Sequence, residues 1–256
     1  MLDIHTIPAF SDNYFWLVHA RVERAAWVVD PGDAGPVQAA LARLDLDLAG
    51  IVVTHHHPDH TGGVSRLAER HDARIVGPAS ERIPQVQRTL GDGDAVEIAG
   101  ARFEVIEVPG HTLDHIAYHC TTEAVLFCGD TLFAGGCGRV FEGTAAQMQT
   151  SLARLAALPG DTRVYCAHEY TLANLAFARL VEPDNDALAA REAEARSLRA
   201  ADTPTVPSTI GLERATNPFL RWAEAPVVAA ASERRGTRVE EPAAVFAEIR
   251  RWKDAS

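Results

Sequence analysis

The densest group of potential metal ligands in the chain is the segment from Thr54 to His60, which reads Thr-His-His-His-Pro-Asp-His. It directly follows a short β-branched run, Ile51 to Val53, that predicts a β-strand. Because successive side chains alternate in extended backbone, His55 and His57 can point the same way, whereas His56 should point away and take a supporting or structural role. The segment holds imidazoles and a carboxylate but no thiolate. This donor set suits zinc, iron or manganese at a reactive centre better than a structural zinc site.

Further candidate ligands come later in the chain. Asp59 and His60 are expected to turn back over the same spot, and His111, Asp130 and His168 each come at the end of a predicted strand. The candidates are too many for one tetrahedral ion, and they suit two ions with Asp130 as the bridging ligand. The full predicted set is His55, His57, Asp59, His60, His111, Asp130 and His168.

Other histidines are predicted to be satisfied core residues, namely His5, His19, His71, His115 and His119. Asp30 leaves two interpretations open. It follows a predicted strand, so its carboxylate could orient a ligand histidine from outside the metal centre, or it could form a turn with the Pro-Gly pair that comes next.

The elements that must position these ligands are short apolar runs bounded by turn residues or histidines. Strands are predicted at Phe15 to His19, Ala25 to Val29, Ile51 to Val53, Arg74 to Val76, Phe103 to Val108, Ile116 to His119, Val125 to Cys128 and Arg163 to Cys166. A helix is predicted around Val37, Leu41 and Leu44, and another is predicted to begin at Thr144 with Gln147 completing a capping box.

After His168 the sequence predicts helices and no further strand. Helices are expected from Leu172 to Val181, from Asp186 to Ala201, where interleaved Glu and Arg predict a solvated surface, and from about Ala243 to Trp252. The predicted organisation is an αβ domain over residues 1–170 and a small all-α domain over residues 171–256.

Composition excludes several classes of protein. A chain of 256 residues with 47% hydrophobic and 23% charged residues is ordinary for a globular protein, and no stretch approaches the ~20 apolar residues of a membrane span. A net charge of −11 argues against nucleic acid or an anionic membrane as the main partner. The beginning of the chain lacks a basic segment followed by an apolar one, so a cytoplasmic protein is expected, with its four cysteines as buried free thiols.

The pattern of ligands, His-x-His-x-Asp-His followed by His111, Asp130 and His168, resembles that of the metallo-β-lactamase superfamily. This resemblance implies an αββα sandwich with the metal ions at one edge. It does not fix the reaction, because one fold supports many activities.

A finer resemblance covers nearly the whole chain and identifies it with glyoxalase II, the hydroxyacylglutathione hydrolases. It rests on Ser11-Asp12-Asn13-Tyr14, Gly129-Asp130-Thr131-Leu132-Phe133, the segment from Gly136 to Thr144, His168-Glu169-Tyr170-Thr171 with Asn174, Thr216-Asn217-Pro218-Phe219, and the segment from Arg250 to Asp254. It implies hydrolysis of S-(2-hydroxyacyl)glutathione, above all S-D-lactoylglutathione, to D-lactate and glutathione in methylglyoxal detoxification.

The resemblance also implies roles for individual residues. One metal ion would be held by His55, His57 and His111 and the other by Asp59, His60 and His168, with Asp130 bridging and zinc expected ahead of iron or manganese. A hydroxide between the ions would attack the thioester, and Asp59 could orient it. The glutathione moiety would contact Arg139, Phe141, Tyr170, Asn174, Arg250 and Lys253, the only lysine in the chain. Phe141 stands where some members have tyrosine, so a hydroxyl is lost there.

The apparent lack of a general acid agrees with a thioester substrate, because a thiolate leaves without protonation and an amine does not. Two other classes of protein remain open. One is a persulfide dioxygenase, which would bind a single iron, or another enzyme of the superfamily that acts on a glutathione derivative. The other is a non-catalytic glutathione-binding protein, which would be expected to have lost ligands. A monomer acting on a small molecule is expected.

Overall fold

The computed structural model describes residues 1–256, which form two compact units. The first unit comprises Met1–Glu107 and Asp114–Gly129. The second comprises Val108–Leu113 and Asp130–Ser256. No helix has the length and apolar character needed to cross a membrane.

The first unit contains a six-stranded mixed sheet in chain order and three helices. Its elements are β1 Leu2–Ala9, β2 Asn13–Ala20, β3 Ala25–Val29, α1 Ala34–Leu44, β4 Asp47–Val52, α2 Pro58–Thr61, α3 Val64–His71, β5 Arg74–Pro78 and β6 Arg88–Leu90. The strands β1 to β3 are antiparallel, and β3 to β6 are parallel. Four further antiparallel strands complete the unit: β7 Ala95–Ile98, β8 Ala101–Glu107, β9 Ile116–Cys120 and β10 Val125–Gly129.

The core of this unit lies between the first sheet and the helices α1 and α3. Val37 and Leu41 recur at helical spacing on α1, and both are buried against apolar side chains of the sheet such as Leu17 and Ile51. Asp33 accepts a hydrogen bond from the backbone N–H of Gly35 and so caps the helix. The predicted strands of this unit are confirmed, although β1, β6 and β7 carried too weak a pattern to be predicted.

The second unit is mainly helical. Its elements are β11 Leu132–Phe133, β12 Gly136–Cys137, α4 Ala145–Ala156, β13 Arg163–Cys166, α5 Thr171–Val181, α6 Asp186–Ala200, β14 Ser208–Thr209, α7 Ile210–Thr216, α8 Ala225–Arg235 and α9 Pro242–Asp254. Helix α9 packs against α4 and α8, and α5 packs against α6 and α8. The predicted capping box is confirmed, since Thr144 accepts from the N–H of Gln147 and the Gln147 side chain accepts from the N–H of Thr144.

Two sequence predictions for this unit are wrong in detail. A strand does follow residue 168, because the two-residue β14 pairs with β13 through Ser208 and Thr209. The helix α6 is not solvated all round: Arg191 on it is 6% exposed and pairs with the fully buried Glu213 of α7.

Candidate metal centre

The segment from Thr54 to His60, called the ligand segment below, begins just beyond the end of β4. Tyr118 donates a hydrogen bond from its hydroxyl to the carbonyl oxygen of Val53 at 2.7 Å, which fixes the backbone where the strand ends. His55 is fully buried and His57 is half-buried. Nε2 of His55 lies 3.1 Å from Nδ1 of His57, so the two rings direct nitrogens to one point, as the alternation predicted.

A buried carboxylate orients two of the ligand histidines. Oδ2 of Asp30 accepts a hydrogen bond from Nδ1 of His60 at 3.1 Å and another from the hydroxyl of Thr54 at 2.7 Å. The Thr54 hydroxyl has then donated its proton, so it accepts from Nδ1 of His55 at 3.0 Å. Both histidines therefore carry hydrogen on Nδ1, and the lone pair of each Nε2 is directed inward. Of the two interpretations of Asp30, the structure shows the orienting one.

His56 points away from the other histidines, as predicted. Its Nδ1 lies 2.9 Å and 3.0 Å from the carboxylate oxygens of Asp114, and its Nε2 lies 2.6 Å from Nη1 of Arg82. The guanidinium can only donate, so His56 accepts at Nε2 and donates to Asp114 at Nδ1. Both ring nitrogens are thus engaged by protein partners, and the ring is not directed to the point that His55 and His57 share.

Asp59 and His60 lie on the four-residue helix α2, which begins at Pro58 with His57 as its N-cap. Proline suits this first helical position because its missing N–H would have no partner there. Oδ2 of Asp59 lies 3.5 Å from Nε2 of His60, so these neighbours direct their donor atoms to one point.

In the second unit, Asp130 faces two histidines at once. Its Oδ2 lies 3.3 Å from Nε2 of His111, and its Oδ1 lies 3.4 Å from Nε2 of His168. All three residues are buried, with at most 6% of their surface exposed. A carboxylate that presents one oxygen to each of two imidazoles has the arrangement expected of a ligand shared by two cations.

Backbone geometry holds His111 in this arrangement. Nδ1 of His111 donates to the carbonyl oxygen of Arg139 at 2.8 Å, which leaves Nε2 to face Asp130. A Cβ added at Gly138 would lie 2.0 Å from the carbonyl oxygen of Asp130 and 3.1 Å from Nδ1 of His111. The Gly-Cys-Gly segment, Gly136 to Gly138, therefore needs glycine at residue 138, because any side chain there would displace the predicted ligands Asp130 and His111.

Aromatic rings cover the histidines of the second unit. The ring of Tyr170 stacks on that of His168 with centroids 4.8 Å apart and planes 5° from parallel. The ring of Phe141 lies 5.2 Å from that of His111 and is 62% exposed. Tyr170, Phe141 and Arg139 are all exposed. Tyr170 contacts His168 through its ring, Phe141 contacts His111 through its ring, and Arg139 contacts His111 through its carbonyl oxygen.

The other three predicted substrate residues, Asn174, Arg250 and Lys253, make polar contacts within the second unit. Lys253 donates from Nζ to Oδ1 of Asn174 at 2.5 Å. Arg250, only 6% exposed, donates from Nη1 to the carbonyl oxygen of Cys137 at 3.2 Å and from Nη2 to Oδ1 of Asp254 at 2.7 Å. Asp254 thus offsets the repulsion between Arg250 and Lys253.

Sequence reasoning missed a buried group that supports the β11–β12 hairpin. Oε2 of Glu213 accepts from the N–H of Gly135 and from Nδ2 of Asn217, each at 2.9 Å, while Arg191 pairs with its other oxygen. Asn217 also donates to the carbonyl oxygen of Gly136 at 2.9 Å. The motif Thr216-Asn217-Pro218-Phe219 was the sequence signal that could have indicated this group. Its Asn217 holds the Gly-Cys-Gly segment in place.

Thiols do not contribute ligands. All four cysteines are free and buried, as predicted. Burial raises the pKa of Cys166 to about 12, and burial also raises the pKa of Cys137. No cysteine belongs to the groups of side chains that could hold an ion, and the raised pKa values keep both thiols protonated at neutral pH in the absence of a metal.

The remaining donors fit divalent metal ions. The histidine and aspartate donor atoms fall into groups that could each hold an ion. His55, His60 and His111 have Nδ1 engaged by a protein acceptor, which leaves Nε2 for a ligand bond.

Comparisons with known proteins agree with this donor set. Residues 11–168 match the model of the metallo-beta-lactamase superfamily, and residues 169–256 match that of the hydroxyacylglutathione hydrolase C-terminus. The hydroxyacylglutathione hydrolase of Pseudomonas paraeruginosa is 57% identical over 256 residues, which cover 99% of both chains.

Solved structures resemble the chain more distantly. The structure of ETHE1 from Myxococcus xanthus is 25% identical with a TM-score of 0.67, and the match covers 99% of both chains. The di-iron-bound form of TTHA1623 is 26% identical with a TM-score of 0.59, and the match covers 85% of this chain and 100% of that one. With the donor sets described above, these matches support a metallo-β-lactamase fold with a dinuclear metal site. The chain belongs to the hydroxyacylglutathione hydrolases of the metallo-β-lactamase superfamily.

Proposed function

We propose that this chain hydrolyses S-(2-hydroxyacyl)glutathione, with S-D-lactoylglutathione as substrate and D-lactate and glutathione as products. The observation that carries the proposal is the orientation of Asp130, since one of its carboxylate oxygens faces His111 and the other faces His168. The proposal is also supported by the curated relatives that carry the name hydroxyacylglutathione hydrolase and match the full length of the chain.

The proposed ligand assignment uses all seven candidates. One ion would take His55, His57 and His111, the other Asp59, His60 and His168, and Asp130 would bridge them. Two divalent ions bound there would lower the pKa of a bound water toward about 7 and polarise the thioester carbonyl. Zinc suits this nitrogen and oxygen donor set, as do iron and manganese, and the di-iron form of TTHA1623 makes iron the alternative to test first.

Residues of the chain would orient the reactants. Asp59, whose side chain is 41% exposed, could hold the attacking water by hydrogen bonding. A thiol with a pKa of ~8.5 leaves as thiolate, so the reaction needs no general acid of the kind an amide would require.

Six residues of the second unit are proposed to bind glutathione. Tyr170 and Phe141 lie against the ligand histidines His168 and His111, and they offer exposed aromatic surface there. Phe141 would contribute packing only, since it has no hydroxyl. Arg139, Asn174, Arg250 and Lys253 would supply polar and cationic contacts to the two carboxylate ends of glutathione.

The wider setting is proposed as well. We expect a monomeric enzyme of the cytoplasm that acts on a small molecule and has neither nucleic acid nor a membrane as partner. The net charge of −11 supports the lack of a nucleic acid or membrane partner, because such polyanionic partners favour basic surfaces.

The experiment is to follow the loss of thioester absorbance from S-D-lactoylglutathione and, in parallel samples, oxygen consumption with glutathione persulfide. We expect hydrolysis without oxygen consumption. Oxygen consumption without thioester hydrolysis would replace the proposal with a persulfide dioxygenase. Binding of the thioester without turnover by protein loaded with two metal ions would indicate a binding protein.

A further inference from the structure

The turn between β1 and β2 places one amide side chain against the ligand segment. Ala9 and Asn13 are paired across the hairpin, so only residues 10–12 form the turn. Asn13 is 5% exposed at the first position of β2, and strand pairing fixes its backbone. From there its Nδ2 donates a hydrogen bond to Oδ2 of Asp59 at 3.1 Å.

Asp59 needs such a contact more than the other ligands of its unit. It lies on a helix of one turn, and its side chain is 41% exposed, so water competes for its oxygens and several rotamers are open to it. The oxygen that Asn13 contacts is also the one 3.5 Å from Nε2 of His60. The hydrogen bond therefore favours the rotamer in which Asp59 and His60 direct their donors to the same point.

The chemistry of the contact suits a carboxylate that must bind a cation. An amide donates a hydrogen bond without bringing a positive charge, so the negative charge of Asp59 stays available. An arginine or lysine at this position would neutralise part of that charge and compete with the cation.

We propose that Asn13 is a positioning residue for the metal ion that Asp59 and His60 bind, and that its amide sets the affinity of this ion by holding Asp59 in its ligand rotamer. This inference rests on the ligand assignment proposed above. Partners of metal ligands typically change metal affinity by about 10- to 100-fold when they are removed.

The test measures metal binding rather than turnover. Metal-free Asn13→Leu, Asn13→Thr and unaltered protein are titrated with Co²⁺ in competition with a chromophoric chelator, and two dissociation constants are fitted. We expect both variants to keep one ion with unaltered affinity and to bind the other about 10- to 100-fold more weakly. The melting temperature of the metal-free protein should change little.

Two comparison variants make the outcome decisive. Ser11→Ala removes a hydrogen bond from the same turn, the exposed one from Ser11 to Asp12, and should leave both dissociation constants unchanged.

Asp59→Ala reports on the ligand assignment. If Asp59→Ala loses one ion and both Asn13 variants bind two ions normally, the inference about Asn13 is wrong although the assignment stands. If Asp59→Ala binds two ions normally, the assignment itself fails, and the inference fails with it. A lower melting temperature of the metal-free Asn13 variants with unaltered metal affinities would reduce Asn13 to a structural role in the hairpin.

Discussion

Lys253 donates a hydrogen bond from Nζ to Oδ1 of Asn174 at 2.5 Å, linking α9 to α5. Its ammonium group also lies 5.2 Å from the centroid of the Phe177 ring. Burial lowers the pKa of Lys253 from 10.5 to about 8, and the neighbouring charge of Arg250 acts in the same direction. This cation of the proposed glutathione site therefore loses its proton just above neutral pH.

The KM for S-D-lactoylglutathione should rise as the pH rises through about 8. The protonated form of Lys253 is the one that attracts a carboxylate, and a lowered pKa means that this form is lost at a lower pH than for an ordinary lysine. We expect KM to level off at the value of Lys253→Ala, with kcat little changed by this residue. The measurement is KM across this pH range for both proteins and for Lys253→Arg, whose charge persists. The assigned pKa would be contradicted if Lys253→Ala had a raised KM while the KM of the unaltered protein did not change with pH.

Arg250→Ala should differ from Lys253→Ala in its effect on stability. Arg250 is buried and donates to the carbonyl oxygen of Cys137, which loses this donor in the variant. We expect a loss of about 1–3 kcal/mol in the free energy of unfolding together with a higher KM. Denaturant unfolding of both variants checks this. A normal KM for both would return these residues to structural roles and require another site for glutathione.

Much of the fold could be predicted because its signals are local. The strand β13 was predicted with its exact bounds, and the capping box of α4 needs only Thr144 and Gln147. The short α2 could not be separated from the ligand segment, since four residues carry no periodicity. The burial of one face of α6 depends on Glu213, which lies 22 residues from Arg191 and belongs to a helix that was not predicted.

The metal ligands could be proposed from sequence because the end of a strand directs the side chains that come next in the chain. The alternating orientation of His55, His56 and His57 could be predicted because the three residues are consecutive in the sequence. The contact between Asn13 and Asp59 spans 46 residues and depends on the width of a hairpin turn. Contacts of that kind leave no periodic signal, so the role of Asn13 had to come from the structure, whereas the orienting role of Asp30 was one of two interpretations of the sequence.

Substituting Asp130 should reduce metal content more than substituting His56. Asp130→Ala removes both oxygens that face His111 and His168, so we expect fewer than two ions per chain and a large fall in kcat. His56→Ala is the matched control, because its ring is engaged by Asp114 and Arg82. Elemental analysis of purified protein decides this. Two ions and normal turnover in Asp130→Ala would exclude a bridging role, and a large loss of metal in His56→Ala would contradict its outward orientation.

Asp30→Asn should weaken metal binding and leave the backbone intact. Asparagine tolerates the left-handed conformation of residue 30, where φ is 51°, and its oxygen can still accept from the N–H of Thr54. Its NH₂ group cannot accept from His60 or from the Thr54 hydroxyl, so the orientation of His55 and His60 is lost. We expect about 10- to 100-fold weaker metal binding in chelator competition. Unaltered affinity would show that these histidines need no orienting carboxylate.

The seven candidate ligands are proposed to form one dinuclear centre that hydrolyses a glutathione thioester. The most direct test of this proposal is to titrate metal-free protein with Zn²⁺ and, separately, with Fe²⁺, and to follow the initial rate of S-D-lactoylglutathione hydrolysis at each step. We expect the rate to rise until two ions are bound per chain and then to stay constant. A full rate at one ion per chain, or no hydrolysis at any metal content, would contradict the proposal.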